Sequence, residues 1–337
     1  MSLKRWAALG IAVLLFVISV LVNTVSSIAF SGIGDISEEI FTTDKEFDEK
    51  VIEEGKSPLS KILVLEVNGA IQDTTNVTSI FESVGYNHRR FLSMIDSAKE
   101  DNAIKAILLR VNSPGGGVVE SAEIHKKLTE YREETGKPVY VSMGSMAASG
   151  GYYISALADK IIASPETLTG SLGVIMQGVN YAGLAEKYGV EFVTIKSGQF
   201  KDIMSPSREM TEEERNILQS MLNNSYDGFV KVISEGRNIP EDKVREIADG
   251  RIYDGRQAKE LNLIDEFGYY DDALEILKED MDLKNAQVIK YEENLGLNWS
   301  IFEITANKFM NKEIEMAGLM KMLSQPNSPR PMYLYAE

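Results

Sequence analysis

The chain has 337 residues, no cysteine, only two histidines, and 51 acidic against 35 basic side chains, for a formal net charge of −16. That balance excludes a nucleic-acid partner, which demands clustered Lys and Arg to neutralise phosphates. The lack of cysteine excludes disulfides, Cys-ligated zinc and a Cys nucleophile, and a Ser-His-Asp enzyme could draw only on His88 or His125.

Lys4 and Arg5 open the chain, and an uncharged stretch follows to Gly34 with an apolar heart from Trp6 to Val22. With the milder segment to Phe30 it can cross about 30 Å of hydrocarbon as a helix, so residues 1–30 read as one transmembrane anchor. The basic residues before it, and Asp35, Glu38 and Glu39 after it, put the N-terminus in the cytoplasm and the body outside. A cleaved signal peptide is the competing reading, with Ser27-Ile28-Ala29 as its small-x-small site, and it exports the body equally. Residues 31–58 are acidic and aperiodic and read as a stalk.

From Lys61 the pattern changes. A strand over 61–67 ends at Asn68-Gly69, and a helix follows over 89–99. A second strand over 104–111 stops at Asn112-Ser-Pro-Gly-Gly-Gly117, and helical spacing resumes over 118–134. A third strand over 139–142 leads into a small-residue loop, 144–151, which opens a short helix to Leu157. A fourth strand covers 160–163. Strands alternating with helices at this spacing predict an α/β fold of βαβ units around a largely parallel, buried sheet. The C-terminal half reads as more helical. Thr211-Glu-Glu-Glu214 has the form of a capping box ahead of an apolar helix face, and another helix begins at Ile239-Pro-Glu241. Residues 296–337 form an extension that ends, over 323–337, in an aperiodic tail with three prolines.

Two Gly-rich loops carry the chemistry. Ser113-Pro-Gly-Gly-Gly117 would expose backbone N–H groups where a strand gives way to a helix, a site for negative charge, although a plain tight turn reads as well. Met143-Gly-Ser-Met-Ala-Ala-Ser-Gly-Gly-Tyr-Tyr153 sets Ser149 between Ala148 and Gly150 at a helix start, which resembles a nucleophile elbow in mechanics. Ser142, Ser145 and Ser155 compete with it, and Ser149 could instead simply cap the helix. His125 reads as a solvated helix residue and His88 as a surface residue at a helix start. A lysine could then be the base, because burial can make its neutral amine available. Lys201 lies in a polar, Gly-bearing loop where most lysines are solvated.

At these residues the sequence resembles the signal peptide peptidase A family, Ser/Lys membrane proteases of the crotonase and Clp-protease fold superfamily. The resemblance runs from Lys61 to about Asp271. It is carried by Arg110-Val-Asn-Ser-Pro-Gly-Gly-Gly117, the Ser149 loop, Thr169-Gly-Ser-Leu-Gly-Val174, Lys196-Ser-Gly-Gln-Phe-Lys-Asp202, and Gly250-Arg251 with Gly255. It implies a crotonase/Clp-protease-like protease domain over 59–295, with Ser149 as nucleophile and Lys201 as general base. It further implies Gly116 and Ser149 as oxyanion-hole amides and Ser171 as the residue that orients the lysine, with no metal or cofactor. Remnant signal peptides would be the substrates, and a homo-oligomer would share each site between adjacent protomers. An acyl-CoA enzyme of the same fold and a non-catalytic membrane scaffold are the alternatives. The apolar end, Met332-Tyr-Leu-Tyr-Ala-Glu337, could enter a binding groove of its own or of a neighbouring protomer.

Overall fold

The computed structural model describes residues 47–73, 86–293 and 331–334. The expected anchor and the first part of the stalk lie outside the described residues. Among the described residues no helix is long and apolar enough to cross a membrane.

A nine-stranded sheet organises the chain. Its strands are β1 (Phe47–Glu53), β2 (Ser57–Asn68), β3 (Ile104–Ser113), β5 (Val139–Ala148), β6 (Lys160–Ala163), β7 (Leu168–Gly170), β8 (Ile252–Tyr253), β9 (Glu266–Phe267) and β10 (Ala286–Glu293). The main path runs β1-β10-β2-β3-β5-β6-β9. Every pairing along it is parallel except that of edge strand β1 with β10. Two further strands, β4 (Gly115–Gly117) and β11 (Met332–Leu334), form a small antiparallel ribbon.

Side chains alternate across a strand, so a central parallel strand must be apolar on both faces. In β2, Leu63, Leu65 and Val67 join one core, while Ile62 and Val64 join the other. Against the larger core pack α1 (His88–Glu100), α2 (Val118–Thr135), α3 (Gly150–Ser155) and α5 (Glu212–Arg237), through Phe91, Leu128, Tyr152 and Phe229 among others. The smaller core is closed by α8 (Tyr270–Asp280), through Ala273, Leu274 and Leu277. The short helices α4 (Ala182–Lys187), α6 (Glu241–Ile247) and α7 (Gly255–Glu260) complete the described set. At the head of α5 the predicted capping box is formed, with Thr211 Oγ1 accepting from Glu214 N–H and Glu214 accepting from Thr211 N–H.

Three expectations change. The stalk does not reach residue 58: Phe47–Glu53 is an edge strand on β10, and Phe47 stacks on Tyr291 at 5.3 Å. Its outer face is charged, which hid the strand. Gly115–Gly117, expected as a turn, is itself a strand, and β5 continues six residues past the expected end at Ser142. The β3–β5 register slips beyond Val111, and the Asn112 side chain accepts from the freed Met146 N–H at 3.2 Å. Finally, part of the tail expected to be loose is ordered as β11.

Candidate active site

Strand β5 delivers Ser149 directly to the N-terminus of α3. Ser149 takes φ 52° and ψ −115°, a conformation that non-glycine residues avoid, held by the paired strand before it and the helix after it. The side chain does not cap α3. It is 1 % exposed, and its Oγ has no hydrogen-bond partner. A buried hydroxyl without a partner carries a desolvation cost of about 1–3 kcal/mol, which a bound group facing Ser149 Oγ would relieve.

The neighbouring amides are arranged in a specific way. Gly115 O accepts from Ile71 N–H, and Gly117 N–H donates to Ile71 O, both at 2.9 Å. Backbone groups alternate sides along a strand, so the Gly116 N–H points the other way, toward β11, where Tyr333 is its register partner. A Cβ built at Gly150 would stand 3.1 Å from both the Gly116 nitrogen and the Tyr333 carbonyl oxygen. A Cβ at Gly115 would stand 2.0 Å from that oxygen and 2.6 Å from the Gly150 nitrogen. Gly116 N–H, Gly150 N–H and the Tyr333 carbonyl therefore converge beside Ser149. Only glycine at 115, with φ 102°, permits that approach.

One implied role changes hands. The Ser149 N–H, expected in the oxyanion hole, donates to Gly170 O at 2.8 Å. That bond continues the parallel ladder in which Ala148 pairs with Gly170. The amide free to face a carbonyl is that of Gly150, the first residue of α3, whose N–H has no intrahelical partner. The same ladder makes Ser149 and Ser171 neighbours, each one residue beyond the Ala148–Gly170 pair. Ser171 is buried, also has positive φ (50°), and donates its N–H to Arg251 O at 2.7 Å. It opens onto a cleft of about 550 Å³ lined by Val174, Gln219, Asn223, Tyr226 and Asp249 among others.

Lys201 stands apart from this group. It is exposed, in a turn where its N–H donates to Gly198 O at 3.2 Å, and it is not within hydrogen-bond reach of the unpartnered Ser149 Oγ. The structure thus joins Gly116, Ser149 and Ser171 and leaves Lys201 outside.

Both histidines differ from expectation. His88 is buried at 3 % exposure, bonded through Nδ1 to Tyr86 Oη and through Nε2 to Glu123 Oε2, each at 2.7 Å. His125 stacks edge-on against Tyr153 at 5.3 Å. Burial, assisted by Arg132, lowers its pKa to about 4, so it is neutral at neutral pH. Tyr153, four residues after Ser149, also stacks on Tyr333 at 4.9 Å and meets Phe229 at 5.2 Å. Tyr333 Oη donates to Ser225 O at 3.0 Å. The chain's own C-terminal segment therefore lies as a strand along Gly115–Gly117, with an aromatic side chain in an aromatic pocket. The sequence reading anticipated an occupant but did not see this pocket, because Phe229 and Tyr153 are 76 positions apart and carry no shared motif.

The family model for peptidase family S49 matches residues 131–284. The chain is 42 % identical, over 99 % of both chains, to an Enterococcus faecium protein provisionally named signal peptide peptidase SppA. It is 41 % identical to a provisionally named protease of Methanocaldococcus jannaschii, over 65 % of this chain and 70 % of that one. It is also 34 % identical to the chloroplastic serine protease SPPA of Arabidopsis thaliana, over 56 % of this chain and 28 % of that one.

Proposed function

The chain belongs to peptidase family S49, the signal peptide peptidase A family, and is a serine protease; from that premise we propose that Ser149 is its nucleophile, Lys201 its general base, and remnant signal peptides its substrates. The observation that carries the reading is the buried, unpartnered Ser149 Oγ beside the convergent Gly116 and Gly150 amides. Membership in a peptidase family sets aside the acyl-CoA alternative, and the paired amides at the end of a sheet support the crotonase/Clp-protease-like arrangement.

In this reading the substrate backbone takes the place of β11, adding a strand to Gly115–Gly117. Neutral Lys201 accepts the Ser149 proton, and Oγ attacks the carbonyl carbon. The carbonyl oxygen becomes an oxyanion between the Gly116 and Gly150 N–H groups, where losing one such donor costs about 3 kcal/mol of transition-state stabilisation. The Lys201 ammonium then protonates the leaving amine, the C–N bond breaks, and water later hydrolyses the acyl-enzyme by the reverse proton path.

A lysine works as a base at neutral pH only where burial disfavours its charged form. Lys201 is exposed in the single chain, so the reading requires a second copy to bury it, with Ser171 of the receiving protomer oriented toward the amine. The segment before Lys201 supports this assembly. Leu184, Tyr188, Val190 and Val193 are all exposed, and Ile195 is 97 % exposed. Apolar side chains left bare over such a stretch mark a protein interface. The anchor over residues 1–30 would hold the assembly at the membrane, where cleaved signal peptides remain, with the catalytic body outside the cytoplasm.

The test is turnover of a fluorogenic apolar peptide by the detergent-solubilised full chain. Ser149→Ala and Lys201→Ala each should lower kcat by at least about a thousandfold, as removal of catalytic-unit members does. Turnover retained in Lys201→Ala overturns the dyad.

A further inference from the structure

We infer that Arg208 is a positioning residue for Lys201, holding the neighbouring Asp202 carboxylate away from the lysine so that the amine stays unpaired. The inference rests on the dyad reading above.

A lysine meant to act as a neutral base is poorly served by an aspartate next to it in the chain. An opposite charge within about 4–6 Å favours the ammonium and would hold the proton in place. Yet Asp202 follows Lys201 directly, and its carboxylate is not paired with Lys201. Arg208 takes both oxygens, with Nε to Oδ2 at 2.8 Å and Nη2 to Oδ1 at 2.7 Å, and Nη2 also reaches the Asp202 carbonyl at 3.0 Å. Lys196 adds a bond from Nζ to Oδ1 at 2.6 Å, and closes the loop by reaching the Gln199 carbonyl at 2.9 Å. The planar guanidinium fork suits this task, since it fixes the carboxylate plane as well as its position.

The same arginine anchors the loop to the fold. Its Nη1 donates to Glu214 Oε2 at 2.8 Å, and its Nη2 contacts Glu214 Oε1. Glu214 is 1 % exposed and belongs to the capping box of α5. A buried carboxylate must be paired, so Arg208 cannot leave it cheaply. One side chain thus joins the turn of Lys201 to the start of the longest described helix. In keeping with this geometry, Arg208 foremost and Lys196 next hold the Asp202 carboxyl well below the usual carboxylate range.

The charged groups around the turn are Lys196, Asp202, Arg208 and Glu209 on the loop, and Glu212, Glu213 and Glu214 from the first turn of α5. Gln199 binds Glu213 at 3.1 Å, and loss of Arg208 would release both Asp202 and Glu214, of which Asp202 is the one next to Lys201 in the chain, so the Asp202→Asn double variant isolates it.

The experiment measures kcat/KM against pH for the full chain, using a fluorogenic peptide with tyrosine before the scissile bond. Arg208→Gln should lower kcat/KM at neutral pH about tenfold and move the acid limb up by about one pH unit, as Asp202 turns to Lys201. Adding Asp202→Asn to Arg208→Gln should return the limb to its parental position, even if the looser loop keeps the rate low. An unmoved limb in Arg208→Gln, or a limb still displaced in the double variant, overturns the inference. Should Arg208→Gln fail to assemble on size exclusion, Arg208→Lys decides. A limb displaced upward and restored by Asp202→Asn supports the role, and an unmoved limb overturns it. Lys201→Ala runs alongside. Turnover there sinks the dyad itself, whereas an inactive Lys201→Ala with an unmoved limb in the arginine variants sinks only the role of Arg208.

Discussion

At the scale of single residues, burial rather than proximity to a motif separates the two histidines from the chemistry. His125 is neutral because it is packed behind Tyr153, and that has a measurable cost in acid. Its folded pKa of about 4 lies below the ordinary 6.5, so as pH falls through 6.5 the unfolded chain takes up a proton that the folded chain refuses. Its full contribution is present above 6.5 and is lost between 6.5 and 4, at up to about 1.4 kcal/mol per pH unit. Urea unfolding at a series of pH values should show a shallower loss over that window for His125→Phe than for the parent chain, and parallel curves would refute it. Neither this burial nor the use of the Ser149 amide was legible in the sequence. A backbone N–H is committed by whichever strand lies beside it, and β7, the partner of Ala148, whose Gly170 O accepts the Ser149 N–H, is only three residues long.

Among the elements, those with an apolar period were legible and those set by contact were not. The central strands β2, β3 and β6, helices α1 and α2, and the capping box of α5 were all marked by runs, spacing or caps. The charged edge strand β1 and the all-glycine strand β4 carry no period at all and exist because a partner strand supplies one. The same is true of β11, whose three residues sit in a Pro-containing tail and become a strand only against Gly115–Gly117. If β11 occupies the amides that a substrate must use, it competes with substrate. Deleting residues 325–337 should lower KM for a short apolar peptide several-fold with kcat nearly unchanged, the pattern of a removed competitor. Identical kinetics in the truncated and full chains would show that β11 does not guard the groove.

For the molecule as a whole, the isolated chain holds only part of the proposed machinery in one place: Gly116, Gly150, Ser149 and Ser171 are gathered, and Lys201 is outside. The motifs contained every one of these residues, with the oxyanion role expected of Ser149 rather than Gly150, but no motif states which copy of the chain supplies a residue. If neighbouring copies share each site, co-expressing Ser149→Ala and Lys201→Ala chains should restore part of the turnover that each lacks alone, because some interfaces then receive an intact serine and an intact lysine. No restoration, with mixed assemblies verified by differential tags, would place both residues in the same chain. The strand pairing of β11 carries a last consequence for what is cut. If substrate takes the place of β11, the groove along Gly115–Gly117 accepts an extended segment and has no grip on a helix, whose N–H and C=O groups are bonded to one another. On that reading, an apolar peptide resting as a helix in lipid would have to unwind locally before Ser149 could reach it. The choice of cleavage site would then be governed as much by where glycine, proline or β-branched residues let that helix melt as by which side chain fills the aromatic pocket.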